Sequence, residues 1–90
     1  MKLTDICLDY AVVEHNGVDF LFNISDVKLR MTQNFDDTAN VDEFDFECEL
    51  DGCFVDGDKV DSLLVPEGMN ELIEAVLLDY CVDNKIWRVV

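Results

Sequence analysis

Seven apolar residues near the C-terminal end of this chain recur at the spacing of one face of an α-helix, i, i+3, i+4, i+7, i+8, i+11 and i+12. They are Met69, Leu72, Ile73, Val76, Leu77, Tyr80 and Cys81. The spacing predicts a helix over residues 66–84, with Pro66 in the first turn, where its missing N–H breaks no hydrogen bond. The opposite face is acidic and carries Glu67, Glu71, Glu74, Asp79 and Asp83. Such a helix must cover a core with one face while it exposes negative charge on the other.

Residues 44–51 alternate strictly between apolar and acidic side chains, as a strand with one buried face does. The apolar set is Phe44, Phe46, Cys48 and Leu50, and the acidic set is Asp45, Glu47, Glu49 and Asp51. Along a strand, alternate residues lie ~6.8 Å apart, twice the rise of ~3.4 Å per residue. The sequence therefore predicts a regular row of four carboxylates.

Asn16-Gly17 separates two further strand patterns, residues 6–15 and residues 18–24. This dipeptide predicts a two-residue hairpin, because a type I′ turn needs positive φ at both central positions. The turn fixes the register and places Glu14 opposite Asp19. Like charges directly opposite each other destabilise a sheet, so a chain selected for stability alone would avoid this pair.

The apolar phase of the second strand changes at Ser25-Asp26, from even-numbered to odd-numbered positions. The change predicts either a one-residue β-bulge or a short turn between two strands. After it, Lys28 and Arg30 point to the outer face. If this strand pairs with the alternating strand, both cations share that face with Glu47 and Glu49 and weaken the negative row at its centre. The binding surface would then move to the acidic face of the helix and to the loop acids.

Residues 33–43 show no periodicity and are rich in Asn, Asp and Thr, which predicts a loop of about ten residues. Its acidic residues are Asp36, Asp37, Asp42 and Glu43. Phe35 is its single large apolar residue, and it either packs back as a plug or serves as an anchor for a partner.

The remaining segments are short. Gly52 is expected to interrupt the alternating strand, and Asp56-Gly57 to connect a small hairpin of residues 54–55 and 59–60. Residues 61–64 resemble a single helical turn. The tail, residues 86–90, is either a final strand at the sheet edge or an apolar patch for a second copy of the chain. The homodimer contacts would then be Ile86, Trp87, Val89 and Val90.

Length and hydropathy predict the architecture. Ninety residues, half of them apolar, correspond to a single domain spanning residues 1–90 with a packed core. The patterns together predict an α+β fold, in which an antiparallel sheet of about four strands packs on one C-terminal amphipathic helix.

The charge of the chain restricts its partners. There are 21 acidic and 6 basic residues, which gives a formal net charge of −15. Direct binding to nucleic acid or to an anionic membrane is disfavoured by this charge, and a basic partner is favoured. No apolar run approaches the ~20 residues of a membrane span, and a strand pattern starts at once without a signal peptide. We therefore expect a cytoplasmic protein with free thiols.

Catalytic and metal-binding motifs are missing from the sequence. There is no dinucleotide, Walker, nucleophile-elbow or zinc-protease motif. The four cysteines contain no CxxC pair and His15 is the single histidine, which argues against zinc. Residues 56–58 superficially resemble a calcium loop but lack its further ligands. We expect no cofactor and no enzymatic activity.

Like charges recur in pairs at three separate places in the predicted structure. Besides the hairpin pair, Glu67 and Glu71, and Asp79 and Asp83, are spaced i, i+4 on the helix, without a basic residue to offset them. The agreement of the three pairs points to selection for negative potential, although a merely solvated surface would also be acidic. The candidate partner-binding residues are Asp36, Asp37, Asp42, Glu43, Asp45, Glu47, Glu49, Asp51, Glu71 and Glu74.

In length, charge and mixed α/β pattern the chain resembles small, strongly acidic phage-encoded DNA mimics and anti-defence proteins, such as anti-restriction and anti-CRISPR proteins. The resemblance implies an inhibitor that occludes a basic nucleic-acid-binding surface of a host enzyme, stoichiometrically and in the host cytoplasm. The principal alternative is an accessory or structural interaction module whose acidity serves solubility. A third interpretation is a regulator or small enzyme subunit without an active site of its own.

Overall fold

The computed structural model describes residues 1–36, 38–61 and 63–89 of the chain. Within these residues it contains six strands and one helix. They are β1 (Lys2–Ile6), β2 (Tyr10–His15), β3 (Val18–Gln33), β4 (Ala39–Val55), β5 (Asp58–Val60), α1 (Met69–Asp83) and β6 (Arg88–Val89). The antiparallel sheet curls into a half-barrel against which α1 packs. The predicted α+β class is therefore confirmed, with six described strands instead of about four.

The first five strands follow one another in the sheet in the order of the sequence, as a meander. The last strand returns from the helix and pairs with the distal half of β3, where Leu29 lies opposite Val89 and Arg30 opposite Arg88. This confirms the strand alternative for the C-terminal tail. Val90 lies outside the described residues.

The Asn16-Gly17 hairpin is confirmed, with φ of 52° and 78° at the two turn residues. Glu14 lies opposite Asp19 as the register predicts. The prediction of one strand over residues 6–15 is wrong, because the chain bends back after Ile6 and the Cys7 N–H donates to the Tyr10 carbonyl at 2.9 Å. The bend gives β2 a second neighbour, β1, which the local pattern does not reveal.

The phase change in β3 is a β-bulge and not a turn between two strands. Asp26 has φ of 52°, and the β3–β4 register shifts between Ser25 and Lys28 while β3 continues to Gln33. The bulge restores the apolar side chains to the core face, so that Leu29 and Met31 are buried.

The predicted loop over residues 33–43 is much shorter in the structure, and its prediction is wrong at both ends. Strand β3 runs to Gln33 and β4 begins at Ala39, so the connection comprises residues 34–38. Here both faces of the hairpin are largely exposed, so the strands lack the apolar alternation by which a strand is recognised in the sequence. Backbone pairing, Met31 with Val41 and Gln33 with Ala39, holds this end together.

Gly52 does not interrupt the alternating strand, because β4 continues through it after a one-residue irregularity. A Cβ at Gly52 would lie 3.3 Å from side-chain atoms of Lys59 and Phe54, so the glycine leaves room for this packing. The small hairpin that follows is confirmed, with positive φ at Asp56 and Gly57.

The C-terminal helix is confirmed, but it begins three residues later than predicted. Gly68 precedes it with φ of 88°, a left-handed conformation that cannot continue into a helical turn, so Pro66 and Glu67 lie outside α1. The helix ends at Asp83, and the N–H of Asn84 donates to the Tyr80 carbonyl at 3.0 Å. Asp61, Leu63 and Leu64 are not helical, contrary to the predicted turn over residues 61–64. Ser62 lies outside the described residues.

The helix packs on the sheet through a single row of fully buried side chains at i, i+4 spacing: Met69, Ile73, Leu77 and Cys81. The larger core cluster combines the first three with Ala11, Val13, Phe20, Phe22, Ile24 and Cys53. A second cluster surrounds Leu29, Met31 and Cys81, and Trp87 and Val89 pack against it. The core therefore extends along the molecule, whose principal extents are 47 × 22 × 21 Å.

Candidate functional site

Strand β4 carries six exposed acidic residues along its length. Glu43, Asp45, Glu47 and Glu49 occupy alternate positions and therefore one face of the sheet, the face opposite Phe44, Phe46 and Cys48. Asp42 and Asp51 lie at the two irregularities of the β3–β4 ladder that flank this stretch. We call these six residues the β4 acidic row: Asp42, Glu43, Asp45, Glu47, Glu49 and Asp51.

The neighbouring strand divides the β4 acidic row into two halves. Lys28 lies opposite Asp45 and Arg30 opposite Glu43, whereas Glu47 and Glu49 lie opposite uncharged residues, Ser25 and Asn23. The cations share the face of these acids as predicted, but they lie opposite Asp45 and Glu43, so they weaken the row toward one end and not at Glu47 and Glu49. The bulge at Asp26 and the short connection set this register. The half of the row that contains Glu47 and Glu49 keeps its charge uncompensated across the strand pair.

Near the N-terminus, the outer face of the sheet again carries charges of both signs. Glu14 lies between Lys2 on β1 and Asp19 on β3, so one neighbour is a cation and the other an anion. The like-charge pair is present as predicted, and Lys2 moderates it.

In the connection between β3 and β4, hydrogen bonds link Asn34, Asp36 and Thr38, and an aromatic ring is exposed. The Asn34 N–H donates to the Thr38 carbonyl at 2.8 Å, and the Thr38 hydroxyl donates to the Asp36 carboxylate at 2.6 Å. The Thr38 hydroxyl, together with the Thr38 N–H, which donates to the same carboxylate at 3.3 Å, lowers the pKa of Asp36. Phe35 is fully exposed, with a relative accessibility of 111%, so the plug alternative is wrong. Asp37 lies outside the described residues.

Asp42 is tied to the opposite strand by a hydrogen bond from the Thr32 hydroxyl at 2.6 Å. It thus belongs to the sheet surface and not to the loop predicted for it. Glu43, likewise predicted in the loop, lies on β4.

A cleft of about 290 Å³ separates β4 from the first turns of α1. Its floor contains Phe44 and Phe46, whose ring centroids are 5.5 Å apart. Asp45, Glu71 and Glu74 line the same cleft. The two helix acids predicted as partner-binding residues therefore share this cleft with one member of the β4 acidic row, Asp45.

A larger cavity of about 620 Å³ opens beside the bulge of β3, where the sheet has a gap between β2 and β6. Asp9, Asp26 and Glu47 line it together with Lys28. Within residues 1–36, 38–61 and 63–89, no group of three or more His, Cys, Asp or Glu side chains is arranged to hold a metal ion.

The cysteines are free thiols. Cys53 and Cys81 are fully buried in the two core clusters, and burial raises the pKa of Cys81 and of the half-buried Cys48. The Cys48 thiol donates to the Asn70 side-chain oxygen at 3.6 Å, which places the first turn of α1 over β4.

Sequence reasoning located the acidic residues but missed the apolar part of this region. The half-buried state of Phe44 and Phe46, together with the exposed ring of Phe35, gives the surface apolar contacts as well as charge. A purely alternating pattern signals a buried face and does not reveal that this face is covered incompletely.

In the described part of the chain, no helix is both long and apolar enough to cross a membrane. The fold and surface define an α+β protein with a strongly acidic sheet face and an acidic cleft beside the helix. Comparison of the chain with protein-family models, with curated proteins and with solved structures found no match.

Proposed function

We propose that this protein is a non-enzymatic inhibitor that binds the basic nucleic-acid-binding surface of another protein and occludes it, as a DNA mimic with an anti-defence role does. The observation that carries the proposal is the β4 acidic row. Four of its carboxylates lie on one face at alternate positions, and Glu47 and Glu49 have uncharged neighbours across the ladder. The row is rigid because β4 pairs with β3 along its length.

The spacing of the row suits a surface that binds nucleic acid through phosphates. One strand of duplex DNA carries a phosphate every ~3.4 Å along the axis. The row offers one carboxylate every ~6.8 Å, about half the linear charge density of that strand. From Glu43 to Glu49 the four carboxylates extend over ~20 Å, six residue steps of ~3.4 Å, and contact with several Lys or Arg side chains is geometrically feasible.

Other acids extend the negative surface in two directions. Glu71 and Glu74 line the cleft together with Asp45 of the row, and Asp36 lies at the hairpin tip. The net charge of −15 adds long-range attraction toward a cationic partner and repulsion from nucleic acid itself.

The test starts from a bacterial lysate fraction that binds heparin, because this step enriches proteins with basic nucleic-acid-binding surfaces. A protein captured by the tagged chain is purified, and its binding to labelled duplex DNA is measured by fluorescence anisotropy. We expect stoichiometric displacement of the DNA. We also expect the affinity for the captured protein to fall steeply between 50 and 200 mM salt, by about 10³-fold if all six carboxylates of the β4 acidic row make phosphate-like contacts.

Charge reversal locates the binding surface. The double variant Glu47→Lys, Glu49→Lys should weaken binding at least about tenfold, equivalent to ~1.4 kcal/mol. Asp79→Lys, Asp83→Lys changes the net charge by the same amount at the far end of α1 and serves as the control. Simultaneous binding of DNA and this protein, or parent-like competition by the first variant, would remove the basis for the proposal.

The alternative is an accessory or structural interaction module whose acidity serves solubility. Two observations favour it: the ring of Phe35 is exposed, and Lys28 and Arg30 lie opposite Asp45 and Glu43. Because these cations offset the charge at that end of the row, apolar contact would be the dominant attraction near the hairpin tip. Affinity that stays constant as salt is raised would identify this module, since apolar contacts are not screened. A homodimer through Ile86, Trp87, Val89 and Val90 stays a prediction.

A further inference from the structure

Strand β4 has a long edge on the side away from β3. Its pairing with β5 covers only Cys53–Val55. In the described part of the chain, residues 39–52 therefore have a strand neighbour on the β3 side alone. An open edge presents backbone N–H and C=O groups to which another extended chain can pair.

Hydrogen bonding on the neighbouring strand shows which groups β4 presents at this edge. The Ile24 N–H donates to the Asp9 carbonyl at 2.8 Å, on the β2 side of β3. Ile24 lies opposite Cys48 in β4. Because the backbone groups of Ile24 face β2, Ile24 and Cys48 form a pair without mutual hydrogen bonds, and the N–H and C=O of Cys48 point away from β3. Because β4 is regular from Glu43 to Leu50, Phe44, Phe46 and Leu50 point the same way.

One of these edge groups has a local partner. The Phe46 N–H donates to the carboxylate of the preceding residue, Asp45, at 2.9 Å. This bond fits an N–H that faces the open edge. A docking strand would take over the N–H and release the Asp45 carboxylate for an ionic contact.

The side chains on the two faces of this edge differ in chemistry. On one face lie the acids Glu47 and Glu49, which have uncharged neighbours in β3. On the other lies the cleft between β4 and α1, where Phe44 and Phe46 offer apolar contact and Glu71 and Glu74 add negative charge. A strand added at this edge would place alternate side chains against the acids and into the cleft.

We propose that the open edge of β4 binds an extended segment of a partner protein that alternates Lys or Arg with aliphatic residues, as an added β-strand. The proposal deepens the function proposed above by naming the binding mode, and it rests on that function for the basic character of the partner. Charge excludes a second copy of this chain as the occupant, because edge-to-edge pairing would place its β4 acids beside identical acids.

The probe is the peptide acetyl-VKVKVKV-amide, seven residues long to match residues 44–50 with its lysines beside Asp45, Glu47 and Glu49, added to the 15N-labelled protein. At 90% occupancy, amide hydrogen exchange of Phe44, Cys48 and Leu50 should slow about tenfold, since these groups exchange only when the peptide is absent. The amides of Glu47 and Glu49, which face β3, serve as internal controls and should keep their rates.

A charge swap makes the test specific. The variant Glu47→Lys, Glu49→Lys should bind acetyl-VKVKVKV-amide at least tenfold more weakly than the parent and should gain affinity for acetyl-VEVEVEV-amide. The variant Asp79→Lys, Asp83→Lys has the same net charge and should keep the parent preference. The amide spectrum of each variant establishes that it is folded before its affinity is compared.

Three results would overturn the proposal. The first is that the exchange rates of the three edge amides do not change when the protein is saturated with peptide, and the second is that the parent binds the two peptides equally. The third is slow exchange of the edge amides in the free protein at high concentration, which would identify a second copy as the occupant. Nucleic-acid competition plays no part in this experiment. If the peptide pairs with the edge but no captured partner competes with DNA, the proposed function fails and the edge site stands. If a partner competes with DNA but the peptide does not pair, the edge site fails and the proposed function stands.

Discussion

Truncation of Leu77 to alanine tests whether α1 is held on the sheet by its single buried row. Leu77 has no exposed surface and packs in the larger core cluster with Phe20 and Phe22. The substitution removes three carbon atoms, which corresponds to ~2.4 kcal/mol of transfer free energy at ~0.8 kcal/mol each. A cavity that cannot collapse adds to this, so we expect a loss of ~2.5–5 kcal/mol in the free energy of unfolding.

The loss is large relative to the total stability of the protein. A domain of 90 residues has a free energy of unfolding of roughly 5–13 kcal/mol, at about 0.05–0.15 kcal/mol per residue. Guanidinium chloride melts give the change when the far-UV circular dichroism of α1 and the fluorescence of Trp87 are followed together. Trp87 reports on the second cluster, so coincident transitions would show that the two clusters unfold as one unit.

Leu64→Ala is the matched control, because the same atoms are removed from a side chain that is 95% exposed. It should change stability by less than about 0.5 kcal/mol. A loss below ~1 kcal/mol for Leu77→Ala, or an equal loss for the two variants, would refute the packing described for α1.

Three further predictions concern charge. First, the free energy of unfolding at pH 7 should increase with added salt, because screening reduces the self-repulsion of a chain with net charge −15; equal melting temperatures across the series would contradict this. Second, the Tyr10 hydroxyl donates to Asp5 at 2.8 Å, and this bond raises the pKa of Tyr10, so Asp5→Asn should lower it in an ultraviolet titration. The stability that this bond contributes is present below the ordinary tyrosine pKa of ~10 and is lost as the pH rises through the raised value. Third, Thr38→Ala should raise the pKa of Asp36 toward its ordinary value in a carboxylate NMR titration. The contribution of Asp36 to stability is present above its unfolded pKa and is lost as the pH falls through the lowered value, so the variant should lose less stability on acidification.

Local chemistry was sufficient to predict several elements. The apolar row of α1 and the Asn16-Gly17 turn each have a signature within a few residues, and the phase change at Asp26 marks the bulge. Such signals do not depend on which strand lies alongside. The start of α1 was predicted three residues early because Pro66 suits a first turn, whereas the left-handed Gly68 sets the true boundary.

The elements that were missed depend on pairing over a distance. The ends of β3 and β4 near the tip have two exposed faces, so no alternation marks them as strands. The bend after Ile6 is stabilised by pairing of β1 with β2, which exists only once the sheet forms. An apolar pattern detects contact with a core and is silent about a hairpin held by its backbone.

The candidate site likewise combines features that the local sequence predicts with features that depend on strand pairing. The alternation of residues 44–51 was enough to place Glu47 and Glu49 on one face. Their neighbours could not be predicted, because the register of β3 against β4 depends on the bulge and on the true length of the connection. Whether an edge of a strand is open is likewise a property of the assembled sheet.

The meander order of β1 to β5 has a consequence for the folding of the chain. Each strand pairs with its predecessor in sequence, so the sheet can grow by successive hairpin closures with short connections. The helix and β6 come last and cover the apolar side afterwards, so an intermediate with β4 formed but uncovered exposes an apolar face along a long edge. Two such intermediates meeting at this edge would bring Glu47 and Glu49 of each chain together. Repulsion between these carboxylates would then disfavour edge-to-edge association until α1 docks.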